Sequence, residues 1–148
     1  MRRLAFAMLL LALAAAYGTK DETVDELKSH FESARPEDRP ELGIRIAQHQ
    51  LRDADKLYSE GNADRARADV EDIVTYSEKA RDAAIQTKKR LKNVEIDVRK
   101  MAEKLRDIKR TLAFEDQAPV EQAIRRLEDV RTTLLKEMFA KEDKREKK

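Results

Sequence analysis

The chain has 148 residues, of which 42% are charged, and its formal net charge is +2. This charged fraction lies well above the globular norm of about 25% and argues against a large multilayered core, because each element can bury one stripe and must expose the rest. Three Gly and three Pro residues are too few for a turn-rich β fold. The dominant residue types favour or tolerate helix, so the composition predicts a single all-α domain.

The first sixteen residues, MRRLAFAMLLLALAAA, have the layout of a secretory signal peptide. Two arginines precede an apolar run of 13 residues, which is short of the roughly 20 residues that a membrane-spanning helix needs. We expect cleavage after Ala16, with a cut after Gly18 or an uncleaved anchor as alternatives. Removing residues 1–16 lowers the Lys and Arg count from 32 to 30, equal to the 30 acidic residues. A neutral mature chain disfavours nucleic acid as a partner, and the signal predicts a periplasmic or secreted protein.

Two helices are predicted at the start of the mature part. Thr23 and Glu26 have the spacing of a capping box, and Pro36 ends a short helix over about 24–34 because proline disfavours helix at the residue before it. A second helix over about 39–60 follows from apolar residues at spacings of three and four. Gly61 then ends the second helix, because glycine readily adopts the left-handed conformation that follows a helix C-terminus.

A long central helix over about 63–113 is predicted from the next segment. Its apolar and small residues alternate at spacings of three and four without interruption, and Gly and Pro are absent from 63 to 118. Such a helix is roughly 75 Å long. A break near Lys92 and Asn93 is the alternative, because the stripe is weakest just before them.

The last helix is predicted over about 119–140, opened by Pro119. The segment 141–148, KEDKREKK, has no apolar residue and is predicted to be a disordered charged tail. The helical domain therefore spans 20–140.

Short connections make neighbouring helices antiparallel, which predicts coiled-coil-like hairpins on both sides of the central helix. Around Gly61, Leu51 should face Ile73. Around Gln117, Leu127 should face Leu105. Helices 39–60 and 119–140 then cover the central stripe end to end, and the small residues at 77–87 allow a close approach. Because this arrangement is thin, we expect either a bend that folds the rod into a bundle or a homodimer.

Residues 54–73 resemble a single tetratricopeptide-type helical hairpin. Ala54, Leu57, Tyr58, Gly61 and Ala66 occupy the small, aromatic and glycine places of that repeat. A shift of 34 residues finds no second copy. The resemblance implies a role in protein interaction without catalysis.

Two sets of residues are candidates for contact with partners. Lys88, Lys89, Arg90 and Lys92 form the densest basic patch, which is either a solvated helix face or a contact for anionic envelope lipid or polysaccharide. Apolar residues beside the main stripes are candidates for burial against a partner protein or a second copy; these are Ile46, Leu57, Phe114, Leu135 and Phe139. Phe114 could instead cap the core of its hairpin.

No catalytic, cofactor, metal or small-molecule signature is found in the sequence. Cysteine is absent, which excludes disulfides and thiolate metal sites. The two histidines, His30 and His49, fall on different predicted helices and lack a carboxylate at metal-ligand spacing. The sequence therefore predicts a non-enzymatic exported interaction protein, self-associating or chaperone-like, with a peripheral binder of anionic envelope surfaces as the alternative.

Overall fold

A computed structural model describes residues 21–147, and this part of the chain contains five α helices and no strand. The helices are α1 (Val24–Ser33), α2 (Arg39–Ser59), α3 (Ala63–Thr87), α4 (Leu91–Thr111) and α5 (Gln117–Glu146). A 3₁₀ turn, Phe114–Asp116, precedes α5. The all-α fold predicted from the sequence is confirmed. The predicted signal peptide, with both of its candidate cleavage points, lies outside the described residues.

The prediction of one continuous helix over 63–113 is wrong, because the chain turns back at residues 88–90. Lys88 and Arg90 both have left-handed backbone conformations, with φ of 57° and 60°. The break lies just before the alternative position at Lys92 and Asn93. A straight rod would leave a second apolar shoulder on each flanking helix, whereas the bend folds the helices into a bundle that buries Ile46 of α2.

The bundle consists of two antiparallel hairpins stacked on each other. Helix α2 packs along α3, and α4 packs along α5, while α2 also contacts α4 and α3 also contacts α5. Two ion pairs show that α2 and α4 run in the same direction: Glu41 binds Arg90 near the start of both helices, and Asp55 binds Lys104 further along both. Helices α2 and α5 were predicted to lie end to end along one central helix. They lie instead on different faces of the bundle.

The predicted antiparallel registers are confirmed in both hairpins. A Cβ atom added to Gly43 would lie 3.0 Å from the Ala80 Cβ, as expected for pairing around Gly61, and α2 approaches α3 closely at these small residues. In the other hairpin, the Arg106 guanidinium lies 2.6 Å from Glu128, as expected around Gln117.

Helix α1 lies against the α2–α3 hairpin and begins with the predicted capping box. The Thr23 hydroxyl accepts a hydrogen bond from the Glu26 backbone N–H, and the Glu26 carboxylate accepts one from the Thr23 N–H. Phe31 is buried with its ring edge-on to Tyr76, at 5.6 Å between centroids. Tyr76 of α3 therefore packs against α1.

Helix α5 is longer than predicted and ends at Glu146. The segment 141–148, predicted to be a disordered tail, is thus helical as far as Glu146. Residues 142–147 are exposed, so this part of α5 forms no core. Its helical conformation follows from its composition of good helix formers and from continuity with the packed part of α5.

Candidate functional site

The turn between α3 and α4 concentrates positive charge at one end of the bundle. Lys88, Lys89, Arg90 and Lys92 are all exposed. No carboxylate of the described residues lies within 4.0 Å of the three lysine ammonium groups, whereas the Arg90 guanidinium lies 3.0 Å from Glu41. The structure thus brings the four predicted residues together as an exposed cluster, three of whose members are free to bind an anion. We call Lys88, Lys89, Arg90 and Lys92 the basic turn.

The basic turn owes its position to the break between two helices. Helix α4 starts at Leu91, and the Arg90 side chain does not cap its N-terminus. The N-terminus of α4 is the positive end of the helix dipole and adds positive potential beside the lysines. On the other side, Lys88 and Lys89 follow the carbonyl end of α3, where cations are favoured.

The C-terminal end of α5 lies beside the basic turn. A depression of about 350 Å³ is lined by residues 90–93 from the turn and by Met138, Glu142 and Arg145 from α5. The α4–α5 register explains this contact, because pairing around Gln117 sets residues near 140 opposite the start of α4. The sequence did not reveal the contact of Glu142 and Arg145 with the turn, because the segment 141–148 was predicted to be a disordered tail.

An exposed aromatic ring accompanies these charges. Phe139, directly after Met138 in α5, is 59% exposed. Leu135, one turn earlier, is partly buried. Phe139 thus adds an exposed apolar side chain to the part of α5 near the basic turn, and aromatic side chains are common in helices that bind membrane surfaces.

Acidic residues also occur at this end, on the side of α1 and α2. Asp38 in the α1–α2 connection accepts a hydrogen bond from Arg35, and Glu41 pairs with Arg90. A second depression, of about 250 Å³, lies between α2 and α4 and has both signs of charge on its wall. There, burial raises the pKa of the Asp97 carboxyl, and Lys100 partly opposes this. The lysines without a carboxylate partner therefore lie on the side of α3, α4 and α5, where Glu142 also lines the wall of the first depression.

The two connections at the opposite end of the bundle carry acidic residues. The connection between α2 and α3 carries Glu60 and Asp64, and the connection between α4 and α5 carries Glu115 and Asp116, with no Lys or Arg in 59–64 or 112–118. Both connections lie at the same end, because α2 and α4 are parallel. Basic residues adjoin both connections, and Arg106, Lys109, Arg110 and Arg125 line a depression beside the α4–α5 connection, so this end is of mixed charge.

The apolar residues that were predicted to face a partner differ in their exposure. Ile46 is completely buried, so the prediction that it faces a partner is wrong. Helix α2 contacts three other helices, so its buried surface is wider than the single apolar stripe predicted from the sequence. Leu57 and Leu135 are partly buried. Phe114 is 87% exposed and does not cap the hairpin core, because the 3₁₀ turn places it beyond the end of the seam.

Several ion pairs hold the helices in this arrangement. Arg131 of α5 bridges Glu95 of α4 at 3.0 Å and Glu128 of its own helix at 2.9 Å. Arg126 joins α5 to α3 through Glu71 and Glu78, and these carboxylates raise its pKa. These pairs connect α5 to α3 and α4.

Searches with protein-family models, among curated proteins and among solved structures found no match to this chain. Between residues 21 and 147, no helix is long and apolar enough to cross a membrane. Within the same residues, no group of three or more His, Asp or Glu side chains is placed to hold a metal ion.

Proposed function

We propose that the protein is an exported, non-enzymatic helical interaction module that docks on an anionic surface of the cell envelope through its basic turn. The observation that carries the proposal is the set of three exposed lysines, Lys88, Lys89 and Lys92, with no carboxylate partner among the described residues. Their clustering distinguishes them, because exposed cations on other faces of the bundle either pair with carboxylates, as Lys104 does, or lie apart from one another, as Arg52, Arg65 and Lys100 do.

The position of the charges supports this proposal. An anionic surface attracts the basic turn, whereas the end that contains Glu60, Asp64, Glu115 and Asp116 is mixed in charge, so the basic turn is the end expected to face the surface. Phe139 provides an exposed aromatic side chain on the part of α5 near this turn. The signal-like segment 1–16 supports export, where the protein would meet anionic lipid.

The test is sedimentation of the purified protein with vesicles of phosphatidylglycerol and phosphatidylcholine. Binding to the anionic vesicles should be strong at low salt, fall as salt is raised and be weak on phosphatidylcholine alone. Each cation near the surface contributes about 1 kcal/mol. Replacing Lys88, Lys89 and Lys92 with Gln should therefore weaken binding about 100-fold.

The matched control removes the same charge from other faces of the bundle. Arg52, Arg65 and Lys100 are exposed and, within the described chain, have no ion-pair partner. Their replacement with Gln should leave vesicle binding within about threefold of the wild type, because their charges are not at the docking end. Equal losses in both triple variants, or no binding at low salt, would exclude docking through the basic turn.

A chaperone-like or protein-binding role is the second candidate, and the exposure of Phe114 favours it. An aromatic ring with 87% of its surface exposed is the kind of anchor that protein interfaces use. The resemblance of residues 54–73 to a tetratricopeptide-type hairpin points the same way. If this role is correct, Phe114→Ser should reduce suppression of a client protein's aggregation, whereas the lysine variants should not.

A further inference from the structure

The α3–α4 turn differs from every other connection in having non-glycine residues in left-handed conformations. Within the described residues, Lys88 and Arg90 are the only non-glycine positions with positive φ. For such residues a left-handed conformation costs roughly 1–2 kcal/mol each. By contrast, the turn between α2 and α3 uses Gly61, at φ 78°, for which this conformation is not strained.

The same residues are compatible with continuous helix. Segment 87–92, TKKRLK, contains no Gly, Pro, Asn or Asp. The helical spacing of small and apolar residues continues through this segment. The residues Ala80, Ala84, Thr87, Leu91 and Val94 follow one another at intervals of four, three, four and three. Local preference therefore favours helix across the turn, and the packing of the bundle imposes the bend.

We propose that two copies of this chain exchange their α4–α5 hairpins, with residues 88–90 becoming helical and α3 and α4 fusing into one helix. Each α4–α5 hairpin then packs on the α2–α3 hairpin of the other copy. The contacts between hairpins, such as Asp55 with Lys104 and Arg126 with Glu78, re-form between chains. A lone chain that opened would lose them, so exchange requires a second copy.

In the exchanged dimer, Lys88 and Arg90 of each chain no longer adopt the strained left-handed conformation. Each chain also gains helical hydrogen bonds across the former turn. Short hinges under strain are known to favour such exchange. Opposing it, the two fused helices cross near their middle and bring two basic turns together. We therefore expect added salt to increase the dimer fraction by screening this repulsion. This exchange is independent of docking on an anionic surface.

Two variants of the hinge with the same charge change test the proposal. Replacing Lys88 and Arg90 with Gly relieves the turn and disfavours the fused helix, whereas replacing both with Ala keeps the strain and favours the fused helix. After unfolding and refolding at high protein concentration, the Ala variant should dimerise at least about 100-fold more tightly than the Gly variant. Light scattering coupled to size exclusion measures both masses.

Cross-linking distinguishes exchange from simple side-by-side association. Because the natural chain has no cysteine, one sample can carry Asp55→Cys and another Lys104→Cys. The two are unfolded together, refolded and treated with a short bismaleimide. A covalent dimer is expected only if α4 of one copy lies on α2 of the other. Monomeric Ala and Gly variants, or a dimer without the 55–104 cross-link, would overturn the proposal.

Discussion

The two hairpins achieve the same antiparallel geometry by different means. Helices α2 and α3 approach closely where Gly43 meets Ala80, and their seam is rich in small residues. Helices α4 and α5 meet through large aliphatic side chains such as Leu105 and Leu127, and ion pairs flank this seam. The first hairpin is thus sensitive to added volume, and the second is sensitive to loss of charge partners.

The largest effect is expected from Arg131→Met in the second hairpin. The Glu95 side chain is only 11% exposed and would lose its cation. A nearly buried carboxylate without a partner destabilises a fold by about 3 kcal/mol. Urea unfolding followed by circular dichroism measures the loss.

Two further variants make this test specific. Glu95→Met combined with Arg131→Met should recover much of the stability, because apolar side chains of similar volume replace a buried pair at little net cost. Arg125→Met, on the exposed side of the same helix, should change the free energy of unfolding by less than about 0.5 kcal/mol. A large loss in the double variant would contradict the account.

An intermediate effect is expected from Gly43→Ala in the first hairpin. Alanine within a helix gains about 0.5–1 kcal/mol over glycine, but the new Cβ atom would lie 2.9 Å from the Tyr76 carbonyl oxygen. This backbone atom cannot move without shifting α3, and overpacking costs about 1–3 kcal/mol. The net result should be a loss of about 1–2 kcal/mol in thermal or urea unfolding.

Arg45→Ala is the control, since this exposed side chain belongs to the same helix. It should leave the midpoint of unfolding nearly unchanged. If Gly43→Ala proved as stable as the wild type, the two helices could separate freely at this point, and the contrast between the hairpins would be lost.

The smallest effect concerns Glu128 and depends on pH. Partial burial would raise the pKa of its carboxyl, but the hydrogen bond from Arg106 and the charge of Arg131 outweigh burial, and the pKa lies below its ordinary value of 4.5. A depressed pKa contributes stability above pH 4.5, and this contribution is lost as the pH falls through the folded-state value.

Glu128→Gln should therefore reduce stability by less than about 1 kcal/mol at pH 7. The difference from the wild type should shrink as the pH is lowered below 4.5. Parallel urea titrations at several pH values provide the measurement. A difference that grew toward acid pH would show that the carboxylate is not stabilised by its arginine neighbours.

Local signals were sufficient for most of the helices. Gly61 and Pro36 mark their turns by backbone chemistry, and Thr23 marks the start of α1, so these boundaries could be predicted. The break at residues 88–90 was predicted only as an alternative, near Lys92 and Asn93, because every residue at 88–90 suits a helix and the bend results from packing between distant helices. The location of the candidate site depends on that break.

Side-chain exposure was harder to predict than the helices. Ile46 lies off the main apolar stripe of α2 and is buried because α2 is surrounded by three helices. The spacing of apolar residues along α2 indicates one buried stripe and does not show how many helices pack around it. The basic residues 88–92 were recognisable as a patch, but their proximity to Arg145 depends on the tertiary fold.

The attachment of α1 has a consequence for how the molecule opens. With ten residues, α1 is too short to persist alone in water, and it is held by Leu27, Phe31 and the contact of Lys28 with Asp72. Asp72 also accepts a hydrogen bond from Gln50, so one carboxylate joins three helices. Local fraying should begin at α1 and uncover the Tyr76 ring while the four longer helices stay assembled.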